Sequence, residues 1–526
     1  VGNAMNLGRL LTQAASLYPE RTALVWGDQS WTWAALNARV DALVAGLRSL
    51  GVAPGDRVLV QARNSNQMVE IPFACFKAGA VWVPVNHRLT PQEVASLAES
   101  AGVKAVIYQA TFADHVDAVA AAVPALDCVI AIDAPRRGET GYEELIDAQA
   151  WAAPFHAEVD RDDPLWFFFT SGTSGRPKAA VLTHGQMAFV VTNHVADLMR
   201  GLSHRDVSLV VAPLSHGSGV HLLAQVSRGA VSILPTADRL DIDEVWRLVE
   251  DYGVTNMFTV PTILKRLVEH PAVDAHDHSS LRHVIYAGAP MYRIDQLRAL
   301  RKLGFVLVQY YGLGEVTGCI TVLPAHMHSL EDDGMPVGSC GFARTGMEVA
   351  IKDPDGKLLG PDEQGEICAR GPAVFAGYYD DAQANAKALK DGWFHTGDLG
   401  RMDAQGFVYI TGRASDMYIS GGSNVYPREA EEVLLAHPAV SEVAVLGVPD
   451  PTWGEAGVAV VVPVPGALVD AGMLVAHLDG RLSRYKWPRR FFFWESLPKS
   501  GYGKVPKHLV RDMLFEEGVL KKGEPV

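Results

Sequence analysis

Cysteine is scarce in this chain, and none is paired by spacing. Cys75, Cys128, Cys319, Cys340 and Cys368 are scattered over 526 residues, so neither a disulfide framework nor a zinc knuckle is expected, and a reducing cytoplasm suits them best. Positive charge is also in deficit: 46 Lys and Arg stand against 60 Asp and Glu, a formal net charge of −14. Nonspecific nucleic-acid binding draws most of its affinity from neutralised phosphates, so no nucleic-acid partner is expected, although a local basic site is not excluded. No apolar run approaches the roughly 20 residues that span a bilayer, and GVAVVVPVPGALV (457–469) is broken twice by proline. The opening VGNAMNLGRL lacks the basic-then-apolar order of a secretory signal. Short repeats and long low-complexity linkers are missing too. These absences predict a soluble cytoplasmic protein without a membrane span.

What remains is an ordinary globular composition, 48% hydrophobic and 20% charged, in a chain too long for one core, so two or more domains are expected. In TWAALNARVDALVAGLRSLG, Leu36, Val40, Leu43, Leu47 and Leu50 recur at spacings of four and three. Thr32 stands as N-cap and Gly51 as stop, which predicts an amphipathic helix. Strand RVLVQA (57–62), strand AVWVPV (80–85), helix PQEVASLAESAG and strand KAVIYQ (104–109) follow. This alternation predicts an α/β fold, a large N-terminal domain of mainly parallel sheets flanked by helices. Over about 337–412 the texture changes to short β-like runs rich in Gly and Asp (EVAIKDPDGKLL, GEICARG, FVYITG), which predicts a β-rich subdomain of hairpins. From about 416 a fresh pattern begins, with Pro427 placed at the first position of helix PREAEEVLLAHP. The predicted division is an N-terminal domain over 1–413 and a small α+β C-terminal domain over 416–526.

After the apolar run LWFFF comes TSGTSGRPKAAVLTHG (170–185). Glycines let backbone N–H groups turn toward an anion, hydroxyls add donors, and lysine adds charge, so the loop suits phosphates. It is not a Walker A loop, because Arg176 and Pro177 separate Gly175 from Lys178, and Ala179 replaces the magnesium-binding hydroxyl. On composition alone a surface loop without a ligand fits equally well. YGLGEVTG has the spacing G-x-G-x-x-x-G rather than the dinucleotide fingerprint, and no G-x-S-x-G occurs, so oxidoreductase and serine-hydrolase readings are disfavoured.

The loop resembles the phosphate-binding signature T-S-G-[ST]-T-G-x-P-K of the adenylate-forming enzymes, which include acyl-CoA synthetases, nonribosomal adenylation domains and luciferases. It departs only at Ser174. Further signatures follow in order: PLSHGSG (213–219), YAGAP (286–290), QYYGLGE (309–315), WFHTGDLG (393–400), GRASDMYISGGSNVYPREAE (412–431) and LPKSGYGKV (497–505). The resemblance runs from about residue 6 to about residue 515.

That resemblance implies an AMP-forming acid–thiol ligase: a carboxylate and ATP give acyl-AMP and pyrophosphate, and a thiol then displaces AMP. It implies that Thr170, Ser171, Gly172, Thr173, Ser174, Gly175 and Lys178 hold the outer phosphates, and that Glu315 holds Mg²⁺, a hard cation suited to carboxylate and phosphate oxygens. Tyr311 would stack on adenine, with Gly312 in the same motif, while backbone at Ala287, Gly288 and Ala289 reads the base edge. Asp398 would accept both ribose hydroxyls with Arg413 beside it. Lys504 would stabilise charge building at the α-phosphate and acyl oxygens. Gly421 and Gly422 resemble positions flanking a pantetheine tunnel, and His216 resembles the gate between acid pocket and tunnel. Taken singly, Lys504 reads as a tail lysine, Tyr311 as core or rim, His216 as a hydrogen-bonded core histidine, and the two glycines as a plain turn; their ordered company favours the functional roles.

Two positions depart from the family. Gly314 stands where threonine is usual, removing a hydroxyl expected near the α-phosphate, and Ser415 stands where the hinge is normally Asp or Lys. The surroundings SGVHLLAQV, NMFTVPTIL and GCITVL are apolar and offer no second cation, which favours a hydrophobic monocarboxylic acid, fatty or aromatic. Free CoA is favoured as the thiol, since RLSRYKWPRR (481–490) offers a basic cluster for its 3′-phosphate; an ordinary charged surface fits the same run. A carrier-protein thiol and a noncatalytic ATP-binding protein stay as alternatives, and monomer or homodimer is left open. The pairs His276/His278 and His326/His328 are read as loop residues, lacking the further ligands of a metal site.

Overall fold

The computed structural model describes residues 4–170, 177–237, 239–289, 291–332, 336–420, 423–499 and 505–520. Two large sheets dominate. The seven-stranded one runs in the order Thr140–Gly141, Cys128–Ala131, Ala105–Tyr108, Arg57–Gln61, Val81–Pro84, Pro164–Thr170, Lys178–Thr183. All its pairs are parallel except the last, an antiparallel hairpin. The nine-stranded sheet is parallel from Thr22–Trp26 through Val231–Leu234, Val207–Val210, Asn256–Thr259 and His283–Tyr286 to Leu307–Tyr311. Antiparallel strands close both of its edges.

The expected amphipathic helix spans Trp33–Ser49, capped by the Thr32 hydroxyl, which accepts from the Ala35 N–H at 3.1 Å. Leu36, Val40, Leu43 and Leu47 are buried, and Gly51 takes φ +86° just beyond the helix end. Helix Pro91–Ala101 carries a capping box between Thr90 and Glu93, and Gly102 ends it in the left-handed region. Every residue of helix Asn66–Ala78 is buried, with apolar side chains from both large sheets in the same core. Charge at such depth needs a partner: Glu70 meets Arg39 at 2.7 Å, and Lys77 meets Asp41 at 2.7 Å. Separate apolar clusters cover the far faces of the two sheets.

The β-rich region is a five-stranded antiparallel sheet built from Glu348–Lys352, Gly365–Arg370, Leu389–Lys390, Trp393–Met402 and Val408–Arg413. The stretch 337–412 is not all one sheet, however. Phe342–Ala343 pairs with Thr321–Leu323 and extends the nine-stranded sheet. The C-terminal region has its own five-stranded sheet, whose long hairpin Val440–Asp450/Gly454–Pro463 is covered by helices Pro427–Leu435, Ala471–Leu478 and Lys507–Glu516. Among the described residues no helix is long and apolar enough to cross a membrane.

Candidate active site

The β-rich sheet and the end of the nine-stranded sheet meet at Asp398. Strands Trp393–Met402 and Val408–Arg413 pair antiparallel with Asp398 opposite Arg413, which brings the Arg413 Nε within 2.8 Å of Asp398 Oδ1. From Leu307–Tyr311, the Tyr311 hydroxyl donates to Asp398 Oδ2 at 2.7 Å. Asp398 is only 5% exposed, and both of its oxygens are engaged. Burial, reinforced by the Asp398 charge, pushes the Tyr311 phenol far above its ordinary value, so it stays a donor. Burial works against the Arg413 charge, but Asp398, the Tyr311 hydroxyl, Asp416 and Glu315 together outweigh it and hold the guanidinium above its usual range.

The strand around Asp398 is braced from behind. Glu366 accepts from the Gly397 N–H at 2.9 Å and from His395 Nδ1 at 2.7 Å, and Cys368 Sγ lies 3.5 Å from the same ring nitrogen. The Cys368 thiol is fully buried, which pushes it up to about 12. Glu366, Cys368 and His395 are metal-capable donors, but their hydrogen bonds explain them as the support that fixes the turn before Asp398.

A second carboxylate lies one turn beyond Tyr311. Glu315, in the short 3₁₀ turn Gly314–Val316, is buried, and its Oε1 accepts from Thr170 Oγ1 at 3.0 Å and from the Tyr378 hydroxyl at 2.8 Å. Thr170 faces Lys178 across the hairpin, so the loop between them begins and ends beside Glu315. The Lys178 ammonium stands 3.7 Å from Asp381 and 5.3 Å from the centre of the Tyr378 ring. Tyr378 and Asp381 carry no signature in the sequence. Backbone pairing of 377–379 with Ala179–Val181 brings them in.

Gly314 has a steric reason. A Cβ there would fall 2.6 Å from Phe168 Cδ1 and 2.9 Å from Thr170 Cγ2. The expected loss of a hydroxyl is therefore also a gain of ring: Phe168 occupies the room that a threonine side chain needs. The His216 ring meets Phe168 edge-on at 5.3 Å, and its Nδ1 lies 2.8 Å from Ser215 Oγ. Gly312 lies against the backbone of Gly318, where a Cβ would come within 2.6 Å. Ala287 is buried after strand His283–Tyr286, Gly288 follows at φ +83°, and Ala289 is half-buried.

Ser171, Gly172, Thr173, Ser174, Gly175, Gly421, Gly422 and Lys504 lie outside the described residues. Ser415 is exposed, in a turn tied back by the Ala414 N–H to Gly397 O at 3.0 Å. The C-terminal region touches the larger one through Lys265 to Ser441 O at 3.0 Å, Arg428 to Ile410 O at 3.2 Å and Tyr292 to Glu431 at 3.3 Å. In the basic run, Lys486 is committed to Glu429 at 2.5 Å, while Arg481, Arg484, Arg489 and Arg490 are exposed. Of the histidine pairs, His276 bonds Glu250 at 2.6 Å, whereas His328, also outside helix and strand, is buried against the Tyr286 hydroxyl at 3.0 Å.

Residues 11–379 match the AMP-binding enzyme family, and residues 429–504 match the AMP-binding enzyme C-terminal domain. The chain is 37% identical over 511 residues to a feruloyl-CoA synthase from Amycolatopsis, covering 96% of this chain and 98% of that protein. It is 34% identical to an indoleacetate–CoA ligase from Aromatoleum aromaticum, covering 98% of this chain and 100% of that one. The structure of ATP-bound MatB from Rhodopseudomonas palustris superposes with a TM-score of 0.86 at 29% identity, over 97% of this chain and 99% of that one.

Proposed function

The chain belongs to the AMP-binding enzymes, and from that premise we propose that it is an ATP-dependent acid–CoA ligase acting on a hydrophobic carboxylic acid, fatty or aromatic. The observation that carries the reading is the juxtaposition of two buried carboxylates with different partners. Asp398 faces an arginine and a phenol, and Glu315 faces two hydroxyls beside the ends of the 170–178 loop.

In the first half-reaction a carboxylate oxygen attacks the α-phosphorus of ATP, the bond to the bridging oxygen breaks, and pyrophosphate leaves. No enzyme nucleophile is needed, so alignment and charge stabilisation supply the catalysis. Asp398 accepts the ribose hydroxyls, exchanging the bonds it now makes to Tyr311 and Arg413. Loop 170–178 and Lys178 hold the β- and γ-phosphates, and Lys504 neutralises charge at the α-phosphate. The buried Glu315 carboxylate beside the Thr170 hydroxyl is a hard oxygen donor set, which suits Mg²⁺; the ion would be held there and would lower the charge on the phosphates. In the second half-reaction the CoA sulfur attacks the acyl carbon, the acyl–oxygen bond breaks and AMP leaves. His216 gates the path, Gly421 and Gly422 flank it, and exposed arginines of 481–490 meet the 3′-phosphate. Ser415 is the hinge between a unit over 1–413 and a mobile unit over 416–526.

The test is acid-dependent pyrophosphate exchange over a panel of apolar acids, followed by CoA-dependent AMP release. Exchange is expected with at least one acid, and Lys504→Ala should lower it by about 10²–10³-fold while ATP still binds. ATP binding without exchange for any acid would mean a noncatalytic nucleotide-binding protein.

A further inference from the structure

Glu366 and Cys368 stand two apart on strand Gly365–Arg370, and His395 lies opposite Cys368 on the antiparallel strand Trp393–Met402. Alternate residues of a strand share a face, and so do directly opposed residues of an antiparallel pair. A carboxylate, a thiol and an imidazole are thus carried to one patch of one sheet. Each offers a ligand atom, and the three atoms lie within 4.8 Å of one another. His395 Nδ1 is 2.7 Å from Glu366 Oε2 and 3.5 Å from Cys368 Sγ. Among the described residues no other three such donors come together in this way. Cys368 and His395 are 27 residues apart in the chain, so no short spacing motif announces the group.

The support before Asp398 uses only part of this patch. Glu366 Oε1 accepts from the Gly397 N–H at 2.9 Å. The Thr396 hydroxyl donates to Ile367 O at 2.7 Å and accepts from the Asp398 N–H at 3.0 Å. That support is complete without a thiol, yet the buried Cys368 Sγ is aimed at the His395–Glu366 pair. The side chains of His395 and Glu366 are 14% and 29% exposed, so a cation can enter and a water can supply a fourth ligand. Thiolate and imidazole select zinc-like cations, whereas magnesium prefers oxygen.

We infer that Glu366, Cys368 and His395 form a binding site for a borderline-soft divalent cation of the zinc class, whose occupancy weakens nucleotide binding at Asp398. Tetrahedral zinc, with nitrogen at about 2.0 Å and sulfur at about 2.3 Å, sets those two donors about 3.5 Å apart, the spacing that the imidazole and thiol already have. Nitrogen and carboxylate oxygen on the same ion stand about 3.3 Å apart, so the Glu366 carboxylate must draw back from the ring. Strand pairing holds Cys368 and His395 in register. The movement therefore falls on Glu366 and on the Gly397 N–H that it holds, one residue before Asp398. On binding, the S–H bond breaks and its proton passes to water, while the imidazole carries its proton on Nε2 and gives the Nδ1 lone pair to the metal. The coupling rests on the reading of Asp398 as the ribose acceptor; the metal site does not.

The experiment titrates the untagged full-length protein with Co²⁺, a tetrahedral stand-in for zinc whose bond to a thiolate gives a near-ultraviolet charge-transfer band. Wild type is compared with Cys368→Ser, Glu366→Gln and His395→Gln. Wild type should take one equivalent and show the band, and Cys368→Ser should lose it; Cys368→Ala stands in if the serine variant fails to fold. The other two variants should weaken cobalt binding by at least about tenfold, since even the outer partners of a ligand are worth that much. In parallel, calorimetry reads the affinity for AMP with and without saturating Zn²⁺. It should fall about tenfold or more in wild type, the worth of one hydrogen bond to a charged group, and stay nearly unchanged in Cys368→Ser. Mg²⁺ at the same concentration should have neither effect. No band in wild type, or a full band in Cys368→Ser, overturns the site. A band with AMP affinity unmoved by zinc overturns the coupling. AMP that fails to bind the zinc-free protein sinks the reading of Asp398 and the coupling with it, and the cobalt band still decides the site.

Discussion

The polar clusters proposed to take the nucleotide and the aromatic packing next to them are built on opposite principles. On one side, Asp398, Arg413, Tyr311, Glu315, Thr170 and Tyr378 form two polar clusters around buried carboxylates, held by short hydrogen bonds. On the other, Phe258 and Tyr310, next to Gly217 and His216, form a buried packing unit set by ring volumes and by two glycines that leave no space for a methyl group. ATP presents the same charges and hydroxyls whatever the acid, so its side needs particular functional groups at particular points. An apolar acid offers little to hydrogen-bond, so a pocket for one would discriminate mainly by shape.

If that division holds, changes on the polar side should alter the use of ATP without altering the choice of acid. Asp398→Ala carries the largest expected effect. It leaves the Arg413 guanidinium and the Tyr311 hydroxyl without their carboxylate, and each hydrogen bond to a charged group contributes about 1.5–3 kcal/mol. Roughly 10²–10³-fold should be lost from kcat/KM for ATP, read from the ATP dependence of exchange, with the acid ranking unchanged. A reordered acid ranking would show that the two sides are not separable.

Gly314→Thr tests the seam where they touch. Restoring the residue usual in the family inserts atoms 2.6 Å from Phe168, and overpacking of this kind costs about 1–3 kcal/mol. A melting temperature lowered by several degrees is expected, with substantial recovery in the Gly314→Thr/Phe168→Val double variant. Equal destabilisation with and without the Phe168 change would remove the steric account. The smallest effect belongs to Tyr378→Phe, which takes one of two hydrogen bonds from Glu315 Oε1. Hydrogen bonds to charged groups contribute ~1.5–3 kcal/mol, so a drop of about tenfold in adenylation is expected, accompanied by a weaker response to magnesium concentration. An unchanged magnesium response would place Tyr378 outside the metal-holding group.

The same division decides what could be read in the chain. Asp398 and Arg413 stand in named motifs, and antiparallel register alone then pairs them. The helix capped by Thr32, the capping box at Thr90 and the parallel strands at 57–61, 81–84 and 105–108 follow from local periodicity and turn chemistry. Tyr378 escaped because nothing near it marks a site; only its backbone pairing with Ala180 carries it to Glu315. Gly314 was legible as an anomaly, but Phe168 as its cause was not, because the two meet only after two separate sheets have packed. Phe342–Ala343 was read with the hairpins that follow, and its partner strand Thr321–Leu323 assigns it to the nine-stranded sheet instead.

The order of charged and glycine-rich motifs by itself determined the family chemistry, since phosphate, ribose and metal each demand a fixed type of donor, and such donors are visible one residue at a time. Tertiary structure alone decided which hydroxyls reach Glu315, why position 314 has no side chain, and how the Phe258 and Tyr310 rings fit against two glycines. Those outcomes depend on volumes contributed by distant segments, and the volume left between packed elements is a property of no single stretch of chain.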